Sequence, residues 1–139
     1  MENSCKVTVG RLMEIRLHAG FTSEADVDAQ IARVKHAMAT VPEGTSVVIA
    51  ADWRRLGIMS ERVAARAVNL LTTSGERIER SGILAVSDAP TAVMQFFRIV
   101  RESEHPSRRV VTSIIELEDW LLPVLTPTET KRLVEFLHE

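Results

Sequence analysis

Asp52, Trp53, Arg54 and Arg55 stand consecutively at the exit of the most apolar run in the chain, Val47-Val48-Ile49-Ala50-Ala51. A carboxylate, an indole and paired guanidiniums in one loop suit recognition more than bond-breaking, because Trp and Arg are enriched at the energetic centres of protein interfaces. Ser87 and Asp88 follow a second apolar run, Ile83-Leu84-Ala85-Val86. If both runs are parallel strands, their carboxyl ends share one edge, the place where open α/β sheets receive ligands and partners. Ser60 and Glu61 open one helix beside that edge and Pro90 opens another, each bringing the partial positive charge of a helix N-terminus. The partner-binding candidates are therefore Asp52, Trp53, Arg54, Arg55, Ser60, Glu61, Ser87 and Asp88. In the competing account Trp53 closes the end of the core and the arginines are merely solvated. On the interface account, Trp53→Ala or Arg54→Glu abolishes partner capture and leaves the melting temperature nearly unchanged.

Other chemistry finds no anchor. His18, His36, His105 and His138 share no metal-ligand spacing, and Cys5 is the only thiol. Asp26 and Asp28 lie at one helix start and Glu116, Glu118 and Asp119 at another, where carboxylates complement the helix dipole without any acid–base role. There is no glycine-rich phosphate loop, nucleophile elbow or dinucleotide fingerprint. No catalytic residue, metal or cofactor is therefore assigned. A third reading is an enzyme using Ser60 or Asp88, to be tested by a hydrolase and phosphatase screen. Arg98, Arg101, Arg108 and Arg109 form a basic group diluted by Glu102 and Glu104, and the chain has no Tyr to stack on bases. A solvated face is expected there, with no nucleic acid bound.

These residues must be positioned by one domain's worth of structure. The chain has 139 residues, a net charge of −2, 45% hydrophobic and 26% charged residues, the ordinary globular mixture. No window reaches the ~20 apolar residues that span a bilayer, and the N-terminus lacks a basic start followed by an apolar stretch. A cytoplasmic protein with no membrane insertion is expected, and the lone Cys5 agrees with a reducing compartment.

Val7-Thr8-Val9 and Met13 to Leu17 read as a hairpin about Gly10 and Arg11, with Glu14 and Arg16 on a wet face. Ser23 to Asp26 is a capping start, followed by the apolar stripe Val27, Ile31, Val34, Met38 and Val41. The two apolar runs are strands covered on both faces. Val63, Ala67, Leu70 and Leu71 mark the helix after Ser60, and Val93, Phe96, Phe97 and Val100 the helix after Pro90. Arg109-Val110-Val111 is a short last strand, followed by a helix with Leu117, Trp120, Leu121 and Leu122. Thr126-Pro127-Thr128-Glu129 combines a cap, a first-turn proline and a capping-box glutamate. The order β-β-α-β-α-β-α-β-α-α implies an α/β domain with a mixed, mostly parallel sheet of about five strands.

That order and its local sequences resemble the STAS superfamily, the fold of bacterial anti-sigma-factor antagonists, and in particular single-domain STAS/CRAL-TRIO-like proteins. The likeness rests on residues 12–21, on Val47-Val48-Ile49-Ala50-Ala51-Asp52 running to Ser60, and on Arg109-Val110-Val111-Thr112-Ser113 followed by Glu116-Leu117-Glu118-Asp119-Trp120-Leu121. It covers residues 7–122, placing a STAS-like domain at 1–125 and an added helix at 126–139. The resemblance implies a non-catalytic regulatory module that binds another protein. In phosphorylatable members an Asp-Ser-Ser/Thr-Gly turn opens the matching helix. Here the turn reads Ser60-Glu61-Arg62-Val63, with Glu61 at or beside the acceptor position, where its charge imitates phosphate. Ser60 is the candidate phosphorylation site, and capping of its helix is the competing account of the same hydroxyl.

The last helix carries Leu133, Val134, Phe136 and Leu137, an apolar side that must bury against its own domain or against a second subunit; a homodimer is expected. The alternative function is carriage of a small apolar or lipid ligand beneath the helix bearing Met94, Phe96 and Phe97, as the CRAL-TRIO likeness implies. Ordinary core packing competes for the same side chains.

Overall fold

A computed structural model describes residues 2–72, 75–86 and 88–139. Ser4–Val7 (β1) and Leu12–Arg16 (β2) form an antiparallel hairpin. Val47–Asp52 (β3), Ile78–Leu84 (β4) and Arg108–Val111 (β5) add to β2 in parallel, giving a five-stranded sheet in the order β1-β2-β3-β4-β5. Glu24–Ala39 (α1), Glu61–Thr72 (α2) and Pro90–Glu102 (α3) make the crossovers. Ile114–Leu121 (α4) and Pro127–Leu137 (α5) follow the last strand. This is the α/β arrangement expected, with a mixed, mostly parallel sheet and a C-terminal helix.

Strand parity separates two cores. Met13, Ile49, Ala51, Ile83 and Val110 pack with α1, α2 and α3 on one face. Leu12, Val48, Ala50, Leu84 and Val111 meet Leu117 and Leu121 of α4 and Leu133, Phe136 and Leu137 of α5 on the other. All six residues of β3 are buried, as a run apolar on both faces requires. The α5 face, expected to bury against its own domain or a second subunit, packs within one chain, and Val134 alone of its four stays exposed.

Caps set the helix starts. Ser23 and Asp26 form a reciprocal capping box on α1, and Thr126 and Glu129 form another on α5. Glu129 also joins the two ends of the fold. One of its oxygens accepts from the Thr126 N–H at 2.9 Å, and the other accepts from the Arg11 N–H at 2.8 Å. Gly10 permits this approach: its φ is +56°, and a Cβ there would stand 2.3 Å from the Glu129 carboxylate.

Several expectations are corrected. The Glu14 face of β2 is not wet, because α5 covers it. Glu14 is 1% exposed and accepts a bidentate pair of hydrogen bonds from Arg132, at 2.8 and 2.7 Å. Strand β4 begins five residues before the apolar run at 83–86, in the polar stretch Ile78-Glu79-Arg80-Ser81. Its charges are satisfied at the surface: Glu79 pairs with Arg11, and Arg80 donates to the Trp120 carbonyl at 2.9 Å while lying 4.1 Å from the indole centroid. On α3 the inward stripe is Ala92, Phe96 and Ile99. Phe97 is 51% exposed and Met94 73%, so neither lines a pocket beneath the helix. Cys5 lies half-buried on β1, and burial pushes its thiol up to about 12, which makes it a poor nucleophile.

Candidate functional site

The carboxyl ends of the parallel strands carry a groove of about 550 Å³ lined by Arg16, His18, Asp52, Arg54, Arg55 and Glu139. Parallel register places Arg16 opposite Asp52, so the last residues of β2 and β3 open onto it together. Asp52 organises the groove. Its Oδ1 accepts from the Arg54 N–H at 3.1 Å and from Arg54 Nε at 2.9 Å, and its Oδ2 accepts from Arg54 at 3.0 Å. Arg16 Nε stands 3.5 Å from the same carboxylate. Arg16 also donates to the Phe136 carbonyl, and its guanidinium lies 4.4 Å from the Phe136 ring centroid. The C-terminal turn of α5 thereby forms one wall.

Charge in the groove is unevenly matched. Arg16 is shared between Asp52 and Glu139, the latter at 3.7 Å, and Arg54 is clamped by Asp52. Arg55 is exposed, and among the described residues it meets no carboxylate; its nearest polar contact is His18 Nδ1 at 3.4 Å. Burial, followed by the positive charges of Arg55 and Arg16, holds the His18 pKa below its ordinary value against the smaller pull of Asp52. The neutral ring can accept from Arg55 only with its proton on Nε2.

Burial alone would raise the Asp52 carboxyl, but the hydrogen bonds from Arg54 and the charges of Arg54 and Arg16 outweigh it and hold Asp52 below the ordinary carboxylate range. A depressed folded-state pKa means the folded form binds its proton less readily than the unfolded chain. The stabilisation is therefore complete above the unfolded value, near pH ~4, and is lost as pH falls through the folded value. Asp52→Asn should show a shallower loss of stability than the wild type in urea titrations below pH ~4. Parallel slopes would show that the clamp makes no such contribution.

A second groove of about 300 Å³ adjoins the first and shares Arg54, with Leu84, Ala85, Val86, Asp88, Thr112, Ser113 and Ile114 on its walls. The structure thus brings Asp52, Arg54, Arg55 and Asp88 to one edge. Ser60 and Glu61 line neither groove. The Ser60 hydroxyl accepts from the Val63 N–H at 3.3 Å, the ordinary contact of a helix cap, and Glu61 is exposed in the first turn of α2. Ser87 lies outside the described residues.

Trp53 is corrected outright. It is 2% exposed and meets Phe96 edge-to-face, with centroids 5.2 Å apart and planes at 85°. The competing account of this residue, as the cover of the core's end, is the one the packing supports. Arg16, His18 and Glu139 were missed. The strand-end rule already used for Asp52 would have found Arg16 and His18 had it been applied to the first parallel strand as well. Nothing local marks Glu139.

Comparison with protein-family models, curated proteins and solved structures returned no match. The carboxyl edge must be read from its own geometry. Among the described residues no cluster of three or more His, Cys, Asp or Glu side chains is set to hold a metal ion, and no helix is long and apolar enough to cross a membrane.

Proposed function

We propose that the protein is a non-catalytic, STAS-like interaction module that grips an acidic segment of another protein along its carboxyl-edge groove. The observation that carries this reading is the exposed Arg55 beside a buried Asp52 clamp. Asp52 directs its charge to orienting Arg54, so the arginines present donors to the groove while Arg55, among the described residues, has no carboxylate to satisfy it. Guanidiniums held in place before binding lose little freedom when a carboxylate arrives, and their planar donors match it two at a time. The STAS likeness in the strand order and in residues 109–121 points to the same class of role, regulation by protein contact without chemistry. Cytoplasmic residence, and a homodimer as a second contact, belong to the same proposal.

The test reverses one charge at the surface. Wild type and Arg55→Glu are used to capture partners from native cell extract at low and high salt. The variant should melt with the wild type, since Arg55 is exposed and, among the described residues, its polar contact is with His18. Its capture of the partner should fall tenfold or more, about 1.4 kcal/mol or more. Equal recovery by both proteins would remove the groove from the interface.

A further inference from the structure

Arg108 enters the core between the sheet and the crossover helices, on the same face as Val110. It is 6% exposed, and among the described residues no carboxylate pairs with it. One terminal nitrogen donates to the Ser103 hydroxyl at 3.1 Å, and that hydroxyl donates onward to the Val100 carbonyl at 2.6 Å. Among the described residues the Nε–H has no acceptor. Burial pushes the guanidinium down to about 10, which still leaves it a cation at neutral pH. A lone charge in an apolar interior carries a desolvation cost of several kcal/mol unless something of opposite sign accompanies it.

Beside this cation is a cavity of about 30 Å³, whose walls include Ile49, Leu70, Ile83, Gln30, Ser81 and Arg108. The space admits an ion or group of one to three heavy atoms, since one water needs roughly 10–15 Å³ on this measure. Ser81 is directly opposite Arg108 in the parallel register, so both side chains leave the same face of the sheet as neighbours. Gln30 Nε2 spends one N–H on the Ser4 carbonyl at 3.3 Å and keeps a second. Every polar group on that wall can donate, and the wall bears no acidic side chain.

We propose that this cavity is a binding site for one small monovalent anion, of halide or formate size, held against the Arg108 guanidinium. The volume excludes phosphate and sulfate. The apolar walls favour a weakly hydrated ion over one that surrenders water reluctantly, such as fluoride. This site is separate from the carboxyl-edge groove: the two share no lining residue.

Thermal unfolding of the full chain is measured at constant ionic strength as gluconate, too large to enter, is exchanged for chloride or for formate. The wild-type midpoint should rise by several degrees and saturate, whereas that of Arg108→Met should not respond. A response to chloride but not formate marks a halide site, and the reverse a carboxylate site. Crystals of the wild type soaked in bromide should show an anomalous peak at hydrogen-bond distance from Arg108 Nε, which decides the matter if the variant does not fold. Equal wild-type midpoints in all three salts, an equal rise in Arg108→Met, or a bromide-free cavity would each overturn the proposal.

Discussion

Trp53→Ala should lower the unfolding free energy by about 3–5 kcal/mol, the range for removing a large aromatic from a packed core. The indole lies against Phe96 of α3, while the backbone N–H of Trp53, which alanine keeps, donates to the Leu84 carbonyl at 2.9 Å. Alanine would leave a void the surrounding backbone cannot close, because strand pairing fixes it on two sides. Urea unfolding measures the loss directly, and a change under ~1 kcal/mol would mean that the ring packs elsewhere. The size of the expected effect matters for the binding question. A protein stable by the usual ~5–15 kcal/mol would spend much of that margin, and lost capture by Trp53→Ala would report unfolding. Arg55 is therefore the residue on which recognition can be tested cleanly.

Arg132→Met should cost a comparable ~3–5 kcal/mol at neutral pH, for an electrostatic reason. Glu14 sits on the covered face of β2 and takes both its close guanidinium donors from Arg132. Removing the arginine leaves a carboxylate beneath α5 without its partner. The pair itself need not be strongly stabilising, since an apolar pair of similar volume can do as well. The double variant Glu14→Leu with Arg132→Met should accordingly recover most of what Arg132→Met loses. Additive losses in that double-mutant cycle would show that the two side chains act independently.

Most of the architecture was legible because its signals are local. Ser23 with Asp26 and Thr126 with Glu129 mark helix starts through contacts three residues apart, and both boxes form. The run at 47–51 has no polar side chain to place in water, so it could only be a strand covered twice. What escaped depends on partners distant in the chain. Glu14 and Arg16 alternate with apolar neighbours, and alternation distinguishes the two faces of a strand without telling which is dry. Arg132, Asp52, Glu139 and the Phe136 carbonyl make that face habitable. The start of β4 was hidden for the same reason, because Glu79 and Arg80 look like loop residues until Arg11 and Trp120 receive them.

The site was half legible. Asp52, Arg54, Arg55 and Asp88 reach one edge, as strand-end reasoning proposes, while Trp53 turns inward. Asp52 and Trp53 keep the alternation of β3 and face opposite sides of the sheet, whereas Arg54 and Arg55 lie in the turn beyond and both reach the groove. Phe97 errs in the opposite sense. On a helix it is rotated by ~100° from Phe96, and only one of the pair can face the sheet. Arg108 looked like part of a solvated basic group and is instead one of the most enclosed charges in the described chain.

The bond from Glu129 to the backbone of Arg11 has a consequence for how the protein is made. Strands β2 to β5 emerge from the ribosome in the order in which they pair, so the sheet and its crossover helices can assemble as the chain lengthens. The opposite face of β3 and β4 has no cover until α4, and that of β2 none until α5. Until α5 forms, Leu12 lacks part of its cover and Glu14 waits for a partner 118 residues downstream. The growing chain therefore carries an adhesive half-sheet until α4 and α5 have been made. Truncation within α5 should yield an aggregating product, even though β1 to β5 are present.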